Sequence, residues 1–170
     1  SNGKVLGFKF DYPNNPDKKN IPNQFKSMAY QGKFAKDPDG PSFVFMCHNS
    51  GILEFFSIKD GKIRKTKNYH LNYTKYKPNL KSKGYSAPLL PENKFAFVSK
   101  SATRDYVYAL YSGKSFKNHR RKAYQGKYLL KFDWKGKPIE LYELDKNLKT
   151  IAVDWEDKNL YGIVYLPDPK

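Results

Sequence analysis

The chain has 170 residues, 32 of them Lys or Arg and 16 Asp or Glu, for a formal charge of +16; its aromatics are 14 Tyr, 12 Phe and 2 Trp. That length suits one domain with a real core, the aromatic content is foreign to charged disordered chains, and no apolar run approaches the ~20 residues of a membrane helix. A lone cysteine, Cys47, rules out an internal disulfide framework and a multi-cysteine zinc site.

The chain opens on Ser1-Asn2-Gly3 without an initiator Met, a pattern that cleavage or trimming leaves, so further upstream sequence is expected. Val5–Tyr12 reads as a leading strand and Pro13–Asn23 as a surface loop. Phe43–Cys47 is an apolar run too short for a helix and bounded by turn formers, which predicts a strand buried on both faces. The turn His48–Gly51 leads into a strand Ile52–Ile58. Asp60-Gly61 then marks a two-residue hairpin, since Gly tolerates positive φ, and Ile63–Tyr69 follows as a polar outer strand. Asn72–Gly84, with four lysines and Pro78, reads as a second surface loop. Further strands are predicted at Phe95–Val98, Tyr106–Tyr111 before a break at Ser112-Gly113, Lys127–Trp134, Ile151–Asp154 and, after a turn at Trp155–Lys158, Leu160–Val164. No 11-residue window carries helical periodicity.

Apolar strand, turn and second strand recur from Phe43, Phe95 and Ile151, which lie 52 and 56 residues apart. A literal echo joins Ala29-Tyr30-Gln31-Gly32-Lys33-Phe34 to Ala123-Tyr124-Gln125-Gly126-Lys127-Tyr128. A multi-stranded unit every ~40–50 residues is the signature of a β-propeller, whose four-stranded blades need neighbours to cover their faces. The fold class expected is therefore all-β: a propeller-type array of about three four-stranded antiparallel blades, a partial ring, with a β-sandwich as the alternative. One domain, 1–170, would hold a leading strand and loop at 1–26 and blades at 27–74, 84–123 and 124–166. About three blades do not close a ring of the usual 4–8, so the array would belong to a longer propeller or pair with a second copy.

The stretch Gly126-Lys-Tyr-Leu-Leu-Lys-Phe-Asp-Trp-Lys-Gly-Lys-Pro-Ile-Glu-Leu-Tyr-Glu-Leu-Asp145, followed by Ile151–Asp154 and Leu160–Ile163, resembles the TolB-like six-bladed β-propeller proteins. In that family a strand ends in Phe-Asp-x-x-Gly-x-Pro and continues through Tyr-x-Leu-Asp. Tyr106–Gly113 and Gly32–Ile58 are similar to it as well, so the resemblance spans about residues 27–166. It implies a bacterial secreted or lipid-anchored protein, hence an extracytoplasmic place in the periplasm or at the cell surface, with this chain forming about the C-terminal half of the ring. It carries over no catalytic residues.

The densest charge cluster runs from Lys114 through Lys117, His119, Arg120, Arg121 and Lys122 to Tyr124, on an inter-strand loop behind Gly113. Basic side chains interleaved with aromatic rings suit phosphates and stacked bases or sugars, although such runs are usually solvated connections. These seven residues are the candidate binding site. His48, His70 and His119 lack metal-ligand spacing, so neither a metal nor a cofactor is expected. Cys47 and His48 point to opposite faces of a strand, which makes Cys47 a core residue rather than half of a dyad. Asp133, Asp145 and Asp154 are expected at strand ends, satisfying turn N–H groups. Tyr106, Tyr108 and Leu110 share one strand face and Val107, Ala109 and Tyr111 the other, both predicted to be packed between blades.

The favoured function is a non-catalytic binding or interaction module of an exported propeller, taking an anionic glycan or another acidic partner. Two alternatives stand beside it: a hydrolase or lyase in a channel completed by missing blades, and charge-driven nucleic-acid binding without a recognised nucleic-acid motif.

Overall fold

Turn chemistry and alternation set the first sheet. In the computed structural model, which describes residues 11–13, 15, 20–81 and 86–165, Pro22 precedes a short helix, α1 (Asn23–Ala29), that buries Phe25 and Ala29. Four strands follow as an antiparallel meander: β1 (Gly32–Lys36), β2 (Ser42–Cys47), β3 (Ile52–Lys59) and β4 (Lys62–His70). Asp60 and Gly61 link β3 to β4 with φ of 52° and 68°, the left-handed pair that matches a hairpin's twist. Val44 and Met46 of β2 are buried while Phe43 and Phe45, on the other face, are only half-buried. The expectation of a strand covered on both faces is corrected: one face of this sheet has a neighbouring sheet and the other does not.

The segment after β4 is a surface loop only in part: Asn79, Leu80 and Lys81 are exposed, but its first half reaches into the interior. Thr74 and Tyr76 are 1% exposed, and Tyr76 pairs with Leu89 in an isolated bridge. Asn93 donates to the Asn49 carbonyl at 3.1 Å and accepts from Lys75 N–H at 2.8 Å. Polar side chains thus satisfy irregular backbone in the interior, which a count of lysines and prolines cannot register. Positions 5–10 of the predicted leading strand lie outside the described residues, and Asp11 and Tyr12 are not in a strand.

The second sheet comprises β5 (Phe97–Ala102), β6 (Tyr106–Tyr111), β7 (Gly126–Asp133) and β8 (Pro138–Leu148), again in chain order. Between β6 and β7 the chain makes a helical excursion, α2 (Phe116–His119) and a 3-10 turn at Arg120–Tyr124. The boundary expected at 123/124 therefore falls inside one sheet. Asp145 lies within β8 rather than at a strand end, whereas Asp133 and Asp154 do accept turn N–H bonds, from Lys135 and Lys137 and from Lys158 and Asn159. A third sheet has two described strands, β9 (Thr150–Val153) and β10 (Leu160–Ile163).

Period-two alternation stacks these sheets face to face. Val44, Met46, Leu53 and Phe55 of the first meet Phe97, Val107, Ala109 and Phe132 of the second. Tyr108, Leu110 and Leu129, on the second sheet's other face, meet Ile151. Each fully buried Val, Leu, Ile, Phe or Met side chain here contributes about 1.5–3 kcal/mol. Side chains fasten β9 to β5: the hydroxyls of Ser99 and Ser101 accept from Ile151 and Val153 N–H at 3.2 and 2.9 Å. Asp157, at φ 57°, accepts from Tyr108 Oη at 2.7 Å and Thr103 Oγ1 at 2.8 Å. Since β1 lies against β5 and β5 against β9, first strands line one side of an open, propeller-type all-β arc. The first sheet's outer face ends in a groove of about 960 Å³ lined by Phe34, Phe43, Phe45 and Phe56.

Candidate binding site

The basic loop is held at both ends. Ser115 N-terminal to α2 is buried, Lys117 N–H donates to the Pro91 carbonyl at 2.7 Å, and the Ser112 hydroxyl donates to the Ala123 carbonyl at 2.7 Å. Between these anchors Lys117, His119, Arg120 and Arg121 are exposed. Arg120 terminates α2 in the left-handed region, at φ 50°, a conformation that non-glycine residues adopt only when their surroundings hold it. Lys114 turns away from the others and donates to Asn147 Oδ1 at 2.5 Å, and Lys122 is half-buried. The loop thus gathers Lys117, His119, Arg120 and Arg121 on one exposed turn and separates Lys114 from them.

Tyr124 leaves the loop for a different neighbourhood. Its ring is 4.6 Å from Phe95 and 6.4 Å from Phe116, and Phe95 is in turn 5.4 Å from His48. Tyr124, Phe95 and His48 line a hollow of about 360 Å³ with Gln31, Asn49 and Leu89. Lys149 Nζ sits 5.8 Å above the Tyr124 ring. Burial holds the His48 imidazole below its ordinary pKa of 6.5; a hydrogen bond at the Phe97 backbone opposes this, and the charges of Lys33 and Lys149 add to it. The ring is therefore uncharged at neutral pH. Lys100 of β5 is likewise lowered, first by burial and then by Lys33.

Among the residues lining the hollow none is a carboxylate, and among the described residues no group of three His, Cys, Asp or Glu could hold a metal. Cys47 is fully buried and its Sγ donates to the Gln31 carbonyl at 3.3 Å, while His48 faces Phe95, so the two do not form a dyad. An aromatic wall, amide groups and an imidazole suit a polar ring, and Lys149 beside Tyr124 suits a negative substituent on it.

Sequence reasoning missed His48, Phe95 and Lys149 as parts of this neighbourhood. The duplicated Ala-Tyr-Gln-Gly-Lys pentapeptide carried the usable signal. Each copy passes from a helical turn into a strand, α1 into β1 and the 3-10 turn into β7, and Gln31 and Tyr124 from the two copies line the same hollow. The copies are local equivalents, since one opens the first strand of a sheet and the other a third strand.

No helix among the described residues is long and apolar enough to cross a membrane. No curated protein matches the chain. Among solved structures it is similar to the WD40 domain of Neurospora crassa Pan2, at 8% identity and a TM-score of 0.27, over 74% of this chain and 42% of that one. The chain thus spans less than half of that domain's length. Residues 1–156 match a propeller family that takes in the leading 26 residues beyond the resemblance read from motifs. With its chain-ordered antiparallel sheets stacked into an arc, the chain belongs to the TolB-like 6-blade propeller-like family.

Proposed function

We propose that the chain is a non-catalytic binding module of an exported bacterial propeller, which recruits an acidic partner, an anionic glycan foremost, to the turn at Lys117–Arg121. The observation that supports this reading is the turn itself: Lys117, Arg120 and Arg121 are exposed, fixed at both ends by backbone bonds, and form no ion pair with any described carboxylate. Their positive field steers anions, and guanidinium groups hold sulfate and carboxylate in a fork.

The test compares retention on heparin, on duplex DNA and on uncharged dextran across a salt series, for the native chain and a Lys117→Gln/Arg120→Gln/Arg121→Gln variant. Heparin should hold the native chain at salt concentrations that release DNA, dextran should not hold it, and the variant's salt slope on heparin should fall by about one per cation removed. Equal, equally steep loss from heparin and DNA would leave only counterion release and the nucleic-acid alternative. Cleavage of a glycan by the native chain would return the hydrolase or lyase alternative.

A further inference from the structure

We infer that the aromatic groove on the outer face of the first sheet is a binding site for an organic cation with an apolar body, a quaternary arylammonium foremost. The inference uses no residue of the exposed turn at Lys117–Arg121 and stands or falls without it.

Strand register builds the floor of this groove. Phe34 of β1 lies opposite Phe45 of β2, and Phe45 lies opposite Glu54 of β3, so two rings and a carboxylate form one row across three strands. Phe43 and Phe56 form a second row, their rings stacked at 4.9 Å and 11°. Phe34 joins the rows, its ring 5.1 Å from Phe45 and 6.0 Å from Phe43. Directly opposite side chains on one sheet face stand about 5 Å apart, within reach of a single bound group. The groove's margin carries a second carboxylate: Asp11 Oδ1 accepts from Asn23 Nδ2 of α1 at 3.0 Å and from Tyr12 N–H at 2.7 Å, which holds it in place.

The lining runs against the charge of the chain. Lys and Arg outnumber Asp and Glu 32 to 16, yet the described residues that line the groove include two carboxylates, Asp11 and Glu54, and no Lys, Arg or His. The chain's own Lys65 shows what this surface attracts: its ammonium pairs with Glu54 Oε1 and lies 5.8 Å from the centroid of the Phe56 ring. Lys65 reaches Glu54 from β4, the side away from Phe45. Ring faces carry the negative side of the aromatic quadrupole and a neighbouring carboxylate adds to it, so a cation gains from both and an anion loses. A compact inorganic cation would surrender its hydration on such a floor, whereas the methyl groups of a quaternary ammonium pack on the rings while its charge stays close to them. The groove's volume of about 960 Å³ holds an aryl or alkyl body beside that charge.

Calorimetric titration of the whole chain with a matched pair of ligands tests this. The para-hydroxyphenyl-trimethylammonium ion and para-tert-butylphenol share one shape and differ by a charged nitrogen in place of a carbon. In mildly acidic buffer, where both phenols stay protonated, the ammonium should bind about fivefold or more tighter than its carbon twin, and para-tert-butylbenzoate should bind more weakly than either. Phe34→Leu keeps apolar surface but removes a ring, so it should erase the ammonium's advantage and leave the phenol within about twofold. Glu54→Gln should weaken the ammonium about fivefold or more and leave the phenol unchanged. Phe34 is 61% exposed, so its variant keeps the test open if Glu54→Gln does not fold. The Lys117→Gln/Arg120→Gln/Arg121→Gln variant should bind both ligands as the native chain does. Equal affinity for the two members of the pair, or an advantage that survives both groove variants, would overturn the inference. So would a native chain that sediments as a dimer and a Phe34→Lys variant that sediments as a monomer, because a second copy would then occupy this face.

Discussion

His48 follows directly on β2 with its ring half-buried against Phe95, and the pKa direction follows from that position. Burial disfavours the imidazolium, and Lys33 and Lys149 act in the same sense. The unfolded chain protonates this residue near its ordinary value of 6.5, the folded chain at a lower pH. Between those two values the unfolded state holds more protons, so stability falls as pH is lowered through the window and levels off beneath it. His70, also lowered by burial with Glu54 opposing, contributes in the same direction. We therefore expect His48→Gln to lose less stability than the native chain when urea midpoints are compared at pH 7.5 and pH 5. Equal losses would remove His48 from the pH response. That Cys47 and His48 face opposite ways was legible in the sequence, because adjacent residues of an extended chain alternate, and Cys47 does pack with Phe25 and Ala29 while His48 meets Phe95. What it faces was not legible, since Phe95 arrives from a segment nearly fifty residues away.

The β7–β8 turn carries the Phe-Asp-x-x-Gly-x-Pro motif, and its job is to join two sheets. Asp133 Oδ1 accepts from Lys135 and Lys137 N–H at 2.9 and 2.8 Å, Trp134 Nε1 donates to the Arg104 carbonyl at 3.0 Å, and Tyr69 Oη of the first sheet donates to the Gly136 carbonyl at 2.7 Å. Gly136 has φ of 83°, and a Cβ there would lie 2.7 Å from Phe55 Cδ2 and 2.9 Å from Lys67 Cβ. Gly61, at φ 68° in the β3–β4 hairpin, has nothing within 4 Å. Both substitutions to Ala strain the backbone, and only one also forces the sheets apart. Gly61→Ala should cost about 1 kcal/mol and Gly136→Ala about 3 kcal/mol or more in denaturant unfolding. A cost at Gly136 no larger than at Gly61 would mean that the turn does not bear on the sheet contact. Strands and hairpins of this kind were legible because they depend on neighbours in sequence. Their grouping was not: β6 pairs with β7 across the excursion of α2 and the 3-10 turn, and that excursion looks like a boundary between units when only apolar runs are visible. For the same reason the run starting at Phe43 belongs to a second strand, while those at Phe95 and Ile151 lead into or lie in first strands.

Stacking three sheets in chain order places residues from distant segments side by side, and this is why the surroundings of His48 escaped sequence reasoning while the run at 114–122 did not: His48, Phe95 and Tyr124 stand far apart in the sequence and come together at one hollow. Stacking also leaves the first and last faces different from those between. The outer face of the first sheet is aromatic, with Phe43 and Phe56 stacked at 4.9 Å and 11° and Phe34 5.1 Å from Phe45. Phe34 is 61% exposed, although α1 and Asp11–Pro13 reach the groove's margin through Asn23, Ser27 and Tyr12. A contiguous aromatic floor of this kind binds apolar compounds in a way that singly exposed side chains do not. An uncharged dye such as Nile red separates that property from the chain's charge, which an anionic dye would not. Phe34→Lys, made at a position too exposed to support the core, should keep the native unfolding midpoint within about 0.5 kcal/mol and weaken dye binding about fivefold or more. Leu80→Lys serves as the comparison, because Leu80 is equally exposed at 63% but stands outside the groove, and its dye binding should match the native chain. If the two variants weaken the dye equally, the aromatic face is no more adhesive than the rest of the surface, and the contrast between end faces and inner faces loses its energetic meaning.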